Sequence, residues 1–358
     1  MSATIRTAAA LLAASVATLV VAQSPAPRPA SAAPAPAAAR TPTPAPSPAP
    51  NPAPASTNTD RSAGLASPQP ASAGDIGADE DNDGGPSRGL SLVLTPKIRY
   101  QFDTDVDNTR FSALRYGLNG RLVSPLGENF TGILAVDLER SRYEWKDFNR
   151  FVAGVETPLR DATILNLAPI VTYTIDKQWA VTGGANIRFS PADGADWGDS
   201  ATYGGFVSAR YAFSDDLSVA LGIGASSRLE DDALVLPVIS VRWRINDQWR
   251  LDTDGLSVRG TYKANEQWSL FGDVGYEFRE YRLGSDVGGN LNNGILRDDA
   301  AFLALGSVWS PAPNFSVELN AGLTFAGRLT VDDRNGNRVA RTTPDPAPFI
   351  GANLRFRF

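Results

Sequence analysis

The sequence predicts an all-β chain: a transmembrane antiparallel up-and-down β-barrel of 12–14 strands, preceded by a disordered Pro/Ala-rich N-terminal segment. Three observations carry this. Apolar and polar residues alternate with period two in segment after segment from Leu90 to Phe358, the pattern of strands with two unlike faces. The candidate strands run about 11–14 residues, whereas strands of globular proteins average about 5–6 and a tilted strand needs about 9–11 to cross a bilayer. Connections alternate between tight turns and long loops, as they do on the two rims of a membrane barrel.

The elements follow in order. Residues 1–22 read as a signal peptide: Arg6 supplies a positive charge, an alanine-rich apolar run follows, and Val20 and Ala22 occupy the small-residue positions before a cleavage that would leave Gln23 first. Residues 23–60 are a Pro/Ala-rich spacer, "PAPAAARTPTPAPSPAPNPAPA" among them. Proline fixes φ and lacks an N–H, so such a stretch extends rather than joining a ladder. Residues 61–88 form an acidic Gly/Ser/Asp linker. There Asp79, Asp81, Asp83 and Gly84 match the opening of a calcium loop, but the twelfth position, where a bidentate glutamate belongs, is Leu90. A plain acidic linker is the simpler reading.

Residues 89–358 are the barrel. Strand pairs are expected at 91–102 and 110–123, 130–143 and 162–175, 178–189 and 201–213, 217–228 and 233–245, 267–281 and 299–309, and 314–327 and 349–358. The stretch 249–264 holds an Asp254-Gly255 step, a hairpin signal, and reads as two short arms that bring the count to fourteen. In "FSVELNAGLTFAG", Phe315, Val317, Leu319, Ala321, Leu323 and Phe325 share one face. That face should point to lipid, because the other carries bulky charge suited to a wet interior. By parity the lumen-facing set is Lys97, Arg99, Arg115, Arg121, Asp137, Glu139, Arg188, Arg210, Arg242, Arg244, Asp273, Glu277, Arg279, Arg355 and Arg357.

A polar turn followed by a large apolar residue recurs, as in "INDQWRL", "IDKQWAV", "FSDDLSV" and "ANEQWSL". Its aromatic copies, Phe130, Trp179, Trp249, Trp268 and Phe315, would form one girdle at headgroup depth. The copy at Leu217 lacks the ring.

The chain ends "GANLRFRF", with Leu354, Phe356 and Phe358 on one face. This resembles the terminal strand of bacterial outer-membrane β-barrel proteins, and the whole of 90–358 is similar in architecture to their uncharacterised porin-like families. The resemblance implies a Gram-negative-type outer membrane, recognition by the barrel-assembly machinery through that strand, and an N-terminal segment in the periplasm. Outer-membrane lipid and lipopolysaccharide would surround the barrel. The barrel enzymes of that membrane use a catalytic histidine, and this chain has none.

Absent histidine removes the usual general base and commonest metal ligand, and absent cysteine removes disulfides and thiolate sites. No enzyme, cofactor or metal centre is therefore expected. A net charge of −6 argues against nucleic acid as a partner. Asp137 and Glu139 stand two apart on one face, where ion pairing to the surrounding cations is the expected role. Lys97 and Arg99 should lie beside Arg355 and Arg357 where the first and last strands meet. Two readings stay open: a passive channel for small solutes with a preference for anions, or a closed barrel filled by salt bridges that serves as a surface or structural protein.

Overall fold

The computed structural model of the protein describes residues 89–358 apart from position 108. The expected signal peptide, spacer and acidic linker, with its calcium-like stretch, lie outside the described residues. Within them, one antiparallel sheet closes on itself. Its strands are β1 (Ser91–Val106), β2 (Thr109–Pro125), β3 (Phe130–Lys146), β4 (Asp161–Thr174), β5 (Trp179–Phe189), β6 (Ala201–Ala212), β7 (Leu217–Arg228) and β8 (Asp231–Arg244). These continue with β9 (Trp249–Asp254), β10 (Ser257–Lys263), β11 (Trp268–Arg282), β12 (Ile295–Ala312), β13 (Phe315–Asp332), β14 (Arg338–Thr342) and β15 (Ala347–Arg357).

Successive strands pair from β1 to β14, and β15 pairs with β13 and with β1 to close the wall. β14 and β15 continue one register along β13, Leu329 opposite Thr342 and Thr324 opposite Ala347. They are two lengths of a single stave, parted at 343–346, where Pro344 and Pro346 offer no N–H to a ladder. The barrel therefore has fourteen staves. Full closure leaves no sheet edge at the β1–β15 seam, the condition for crossing a bilayer in β-structure.

Pairing register fixes the faces. Ile98, Leu118, Leu134, Leu167, Val207, Leu221, Leu305, Leu319 and Ile350 point outward and are exposed, Leu305 at 67%. An apolar belt on this scale has no counterpart on soluble monomers, whose contiguous apolar patches rarely exceed a few hundred Å². This is a transmembrane β-barrel with its apolar face outward.

The short turns are built alike. Asn246 Oδ1 accepts N–H bonds from Gln248 and Trp249, both at 2.9 Å. Asn265 does the same for Gln267 and Trp268, and Asp176 for Gln178 and Trp179. Phe130, Trp179, Trp249, Trp268 and Phe315 are each the first residue of their strand. Each ring also packs on an aromatic directly across the ladder: Tyr173, Tyr211, Tyr262, Trp309 and Phe356 respectively, at centroid distances of 4.7, 4.8, 5.0, 6.3 and 5.2 Å. Asn246→Ala removes two turn bonds and should lower stability by about 1 kcal/mol, measured as a drop in the urea midpoint of heat-modifiable gel mobility.

The stretch 249–264 forms the short hairpin that its Asp-Gly step indicates, with Gly255 at φ +57° in a two-residue turn. Its brevity thins the wall. β8 meets β9 only from Arg242 to Arg244, and β11 meets β10 only up to Gly275. Above the hairpin tip β8 and β11 do not pair with each other, and among the described residues the β11 edge finds only a bridge to the β5–β6 loop at Pro191.

The long-loop rim differs from expectation. Residues 103–106 are strand, leaving a tight turn at Asp107, whose φ is +50°. Residues 295–299 belong to β12, and 328–342 form most of a hairpin. These strands continue because each still has a neighbour to pair with beyond the apolar belt. The remaining loops fold over the mouth. Ala192 donates its N–H to Arg282 O at 2.8 Å, and Thr163 donates to Pro191 O at 2.9 Å, tying β11 to the β5–β6 loop and β4.

Candidate functional site

The lumen holds three zones, stacked from the loop rim to the turn rim. The first is an apolar plug. Val106, Phe111, Tyr143, Phe148, Val155, Leu283, Leu291, Leu296, Leu329 and Val331 are all buried in one cluster, with Trp145 and Phe151 packed against it. They come from five strands and from the β3–β4 and β11–β12 loops, so the plug exists only when those loops fold inward. Trp145 Nε1 donates to Leu159 O at 2.8 Å, fixing the first of them.

The second zone is a lattice of ion pairs. Lys97 on β1 reaches Asp137 at 3.0 Å and Glu139 at 3.2 Å on β3. Arg279 on β11 reaches Glu139 at 3.1 Å and Glu277 at 2.8 Å. Arg99 on β1 contacts Glu277 at 2.5 Å and stacks on Phe349, 3.5 Å from its centroid. Charges on β1, β3 and β11 are thereby joined across the barrel. Beside them, Arg115 pairs with Asp298 at 2.9 Å, and the Tyr143 hydroxyl donates to the same carboxylate at 2.7 Å. Arg259 bridges Asp273 at 3.0 Å and Glu318 at 2.9 Å. Removing a charge from water costs several kcal/mol unless it is paired and hydrogen-bonded, which accounts for so dense a lattice.

The third zone, toward the turn rim, is basic. Arg210 on β6 faces inward close to the turn, across from Ala180; Arg188 faces inward at the other end of β5, in ladder register with Asn166 and Asp137, and neither has a carboxylate partner among the described residues. Arg242 lies 3.9 Å from Asp252, and Arg244 lies 3.1 Å from Asp216. Arg355 stands across the ladder from Ser316, and Arg357 across from Val93. A cavity of about 420 Å³ joins the second and third zones, lined by Arg121, Arg188, Asn166, Asn320 and the ion pairs.

The seam departs from the expected pairing in detail. Lys97 stands opposite Asn353 and Arg99 opposite Gly351. The four cations are therefore staggered over two levels, because the register is offset by several residues, and Lys97 and Arg99 turn to carboxylates on β3 and β11. Sequence reading missed Asp298, Arg259, Glu318 and Tyr143. Asp298 lay in a stretch read as loop, and Arg259 in the ambiguous hairpin. Glu318 was on the correct face by parity, and its alternation with Ser316 and Asn320 was the available signal. Among the described residues, no group of carboxylates is arranged to hold a metal ion.

No curated protein matches the chain in sequence. Several solved barrels share a loose structural likeness. A FadL homologue from Pseudomonas aeruginosa is 12% identical over 75% of this chain and 90% of its own, with a TM-score of 0.44. An outer membrane channel from Pseudomonas putida F1 is 12% identical over 77% and 98%, with a TM-score of 0.41. The toluene transporter TodX of P. putida is 7% identical over 75% and 90%, with a TM-score of 0.40. The reading of this chain stands on its own geometry. Residues 163–357, more than half of the sequence, match the family described as a domain of unknown function, DUF6268, and the chain belongs to that family.

Proposed function

We propose that this barrel is a passive, porin-like channel of the outer membrane of a Gram-negative-type bacterium, carrying small solutes with a preference for anions. The observation that supports it best is that Arg188, beside the cavity, and Arg210, near the turn rim, are inward-facing guanidiniums with no carboxylate partner among the described residues. Cations that line a wet pore attract anions and repel cations. The turn rim would face the periplasm with the N-terminal segment, and the aromatic girdle would sit at headgroup depth. Leu354, Phe356 and Phe358 would be read by the barrel-assembly machinery, and the loop rim would meet lipopolysaccharide.

A second reading has its own support. The apolar plug and the ion lattice both obstruct the lumen, as they would in a closed barrel with a surface or structural role. Planar-bilayer recording of the full chain separates the two. Open-channel current with a reversal potential on the anion side is expected, shifting toward cations in Arg188→Glu/Arg210→Glu. A verified folded barrel that passes no current overturns the channel reading.

A further inference from the structure

The thinned wall between β8 and β11 is built differently from the rest of the barrel. At its top the β7–β8 turn docks on side chains that β11 and β12 point outward. Leu229 N–H donates to Glu280 Oε2 at 3.2 Å, Arg282 pairs with Glu230 at 2.8 Å, and Arg297 donates to Leu229 O at 3.2 Å. The upper part of β11 therefore passes on the lumen side of β8, and the two overlap with a slit between them. The hairpin tip at Gly255 floors the slit and the ion latch roofs it.

Both walls of the slit are apolar. β8 presents Leu234, Leu236 and Val238 inward, and β11 presents Tyr276 and Phe278 outward; all five are half-buried. Elsewhere large apolar side chains at inward positions, such as Ile133, Phe271, Phe302 and Phe349, alternate along the wall with charged or amide groups that pair around them. β8 is instead apolar on both faces, with Val235, Pro237 and Ile239 directed to the bilayer.

The β8 edge is also protected against another strand. Arg244 donates its N–H toward β7, and Val241 donates toward β9, to Thr253 Oγ1 at 2.8 Å. Odd-numbered N–H groups on β8 thus point into the slit, and at position 237 that group is missing because the residue is proline. An edge proline blocks strand addition. A peptide is therefore a poor occupant. A flexible apolar chain, which needs no backbone partner, is a good one.

We infer that this slit is a side portal through which the alkyl chain of an amphiphile passes between the bilayer and the lumen. The portal goes beyond the anion-channel reading and does not depend on it. With the plug closing the loop rim, it supplies a second way out of the barrel.

The chain has no cysteine, so single-cysteine variants of the full-length protein can be labelled directly with bimane in liposomes. The sites are Leu236→Cys on the inner wall of the slit, Val235→Cys on the bilayer face, and Asn186→Cys on the lumen face of β5 behind continuous wall. Heat-modifiable mobility verifies each fold, and Phe278→Cys repeats the measurement from the opposite wall. In phosphatidylcholine brominated on its acyl chains, quenching at position 236 should reach about half that at 235, with about a tenth or less at 186. Quenching at 236 and 278 no stronger than at 186 would mean a dry packed seam and overturn the proposal. A second arm adds a free dodecyl amphiphile carrying a diazirine, and its photolabel should fall on Leu236 or Phe278. Lipid quenching without photolabelling would leave only a groove filled by resident lipid, and would equally overturn the portal. Neither readout involves ion current, so loss of the channel reading would leave this result standing.

Discussion

Glu139→Gln should destabilise the barrel by about 3–5 kcal/mol, the cost of removing one partner from a buried ion pair. Glu139 is 8% exposed and, among the described residues, is the only carboxylate that touches both Lys97 and Arg279. Without its charge the two cations face each other across a neutral amide, and the link from β1 through β3 to β11 is broken at its centre. Equilibrium unfolding in urea, followed by heat-modifiable mobility and intrinsic tryptophan emission, measures the loss. A change under about 1 kcal/mol, the range of exposed pairs, would show that water screens the lattice. The channel reading would then gain a wide lumen.

Truncating Phe148 has the other large expected effect. Its ring is fully buried, packed 4.9 Å from Trp145 and 5.5 Å from Phe151, and with Val155 it is part of what the β3–β4 loop inserts into the plug. Phe148→Ala should cost about 3–5 kcal/mol by cavity formation. It should also loosen the β3–β4 loop and raise single-channel conductance or the open fraction in planar bilayers. A variant that loses stability yet conducts as the parent does would exclude this loop as the obstruction.

Most of the wall was legible in the sequence. Period-two alternation is a local property, and a strand in a closed barrel has the same two neighbours all along, so little in tertiary structure can override it. The recurring turn was legible because its Asn or Asp caps its own backbone, and the ring that follows begins a strand. The crowded interval between Trp249 and Trp268 correctly indicated two short arms.

The lumen was legible only as a list. Parity assigns Arg99 and Glu277 to the inner face, but nothing in the sequence between them, a separation of 178, says that they touch. That contact joins staves parted by three others in the sheet, a distance no local pattern encodes. The plug was hidden for a related reason: Phe148, Leu283 and Leu291 sit among turn-forming residues, where isolated apolar side chains carry no period. The slit was hidden because the run "ALVLPVIS" reads as a buried strand, and only register shows what stands beside it.

The loops that build the plug are also spent on it. The β3–β4, β5–β6 and β11–β12 loops are held by buried side chains or by backbone bonds across the mouth, so a foreign sequence inserted there would have to displace the closure. At the β13–β14 tip, by contrast, the exposed Asp333 carboxylate caps the turn itself, accepting from the Asn337 amide at 3.1 Å and from backbone N–H groups of Asn335 and Asn337. Those hydrogen bonds, the Asn337 amide foremost, hold its pKa below the usual aspartate value. That hairpin tip and the tight turn at Asp107 are where a tag or epitope could be carried with the barrel intact.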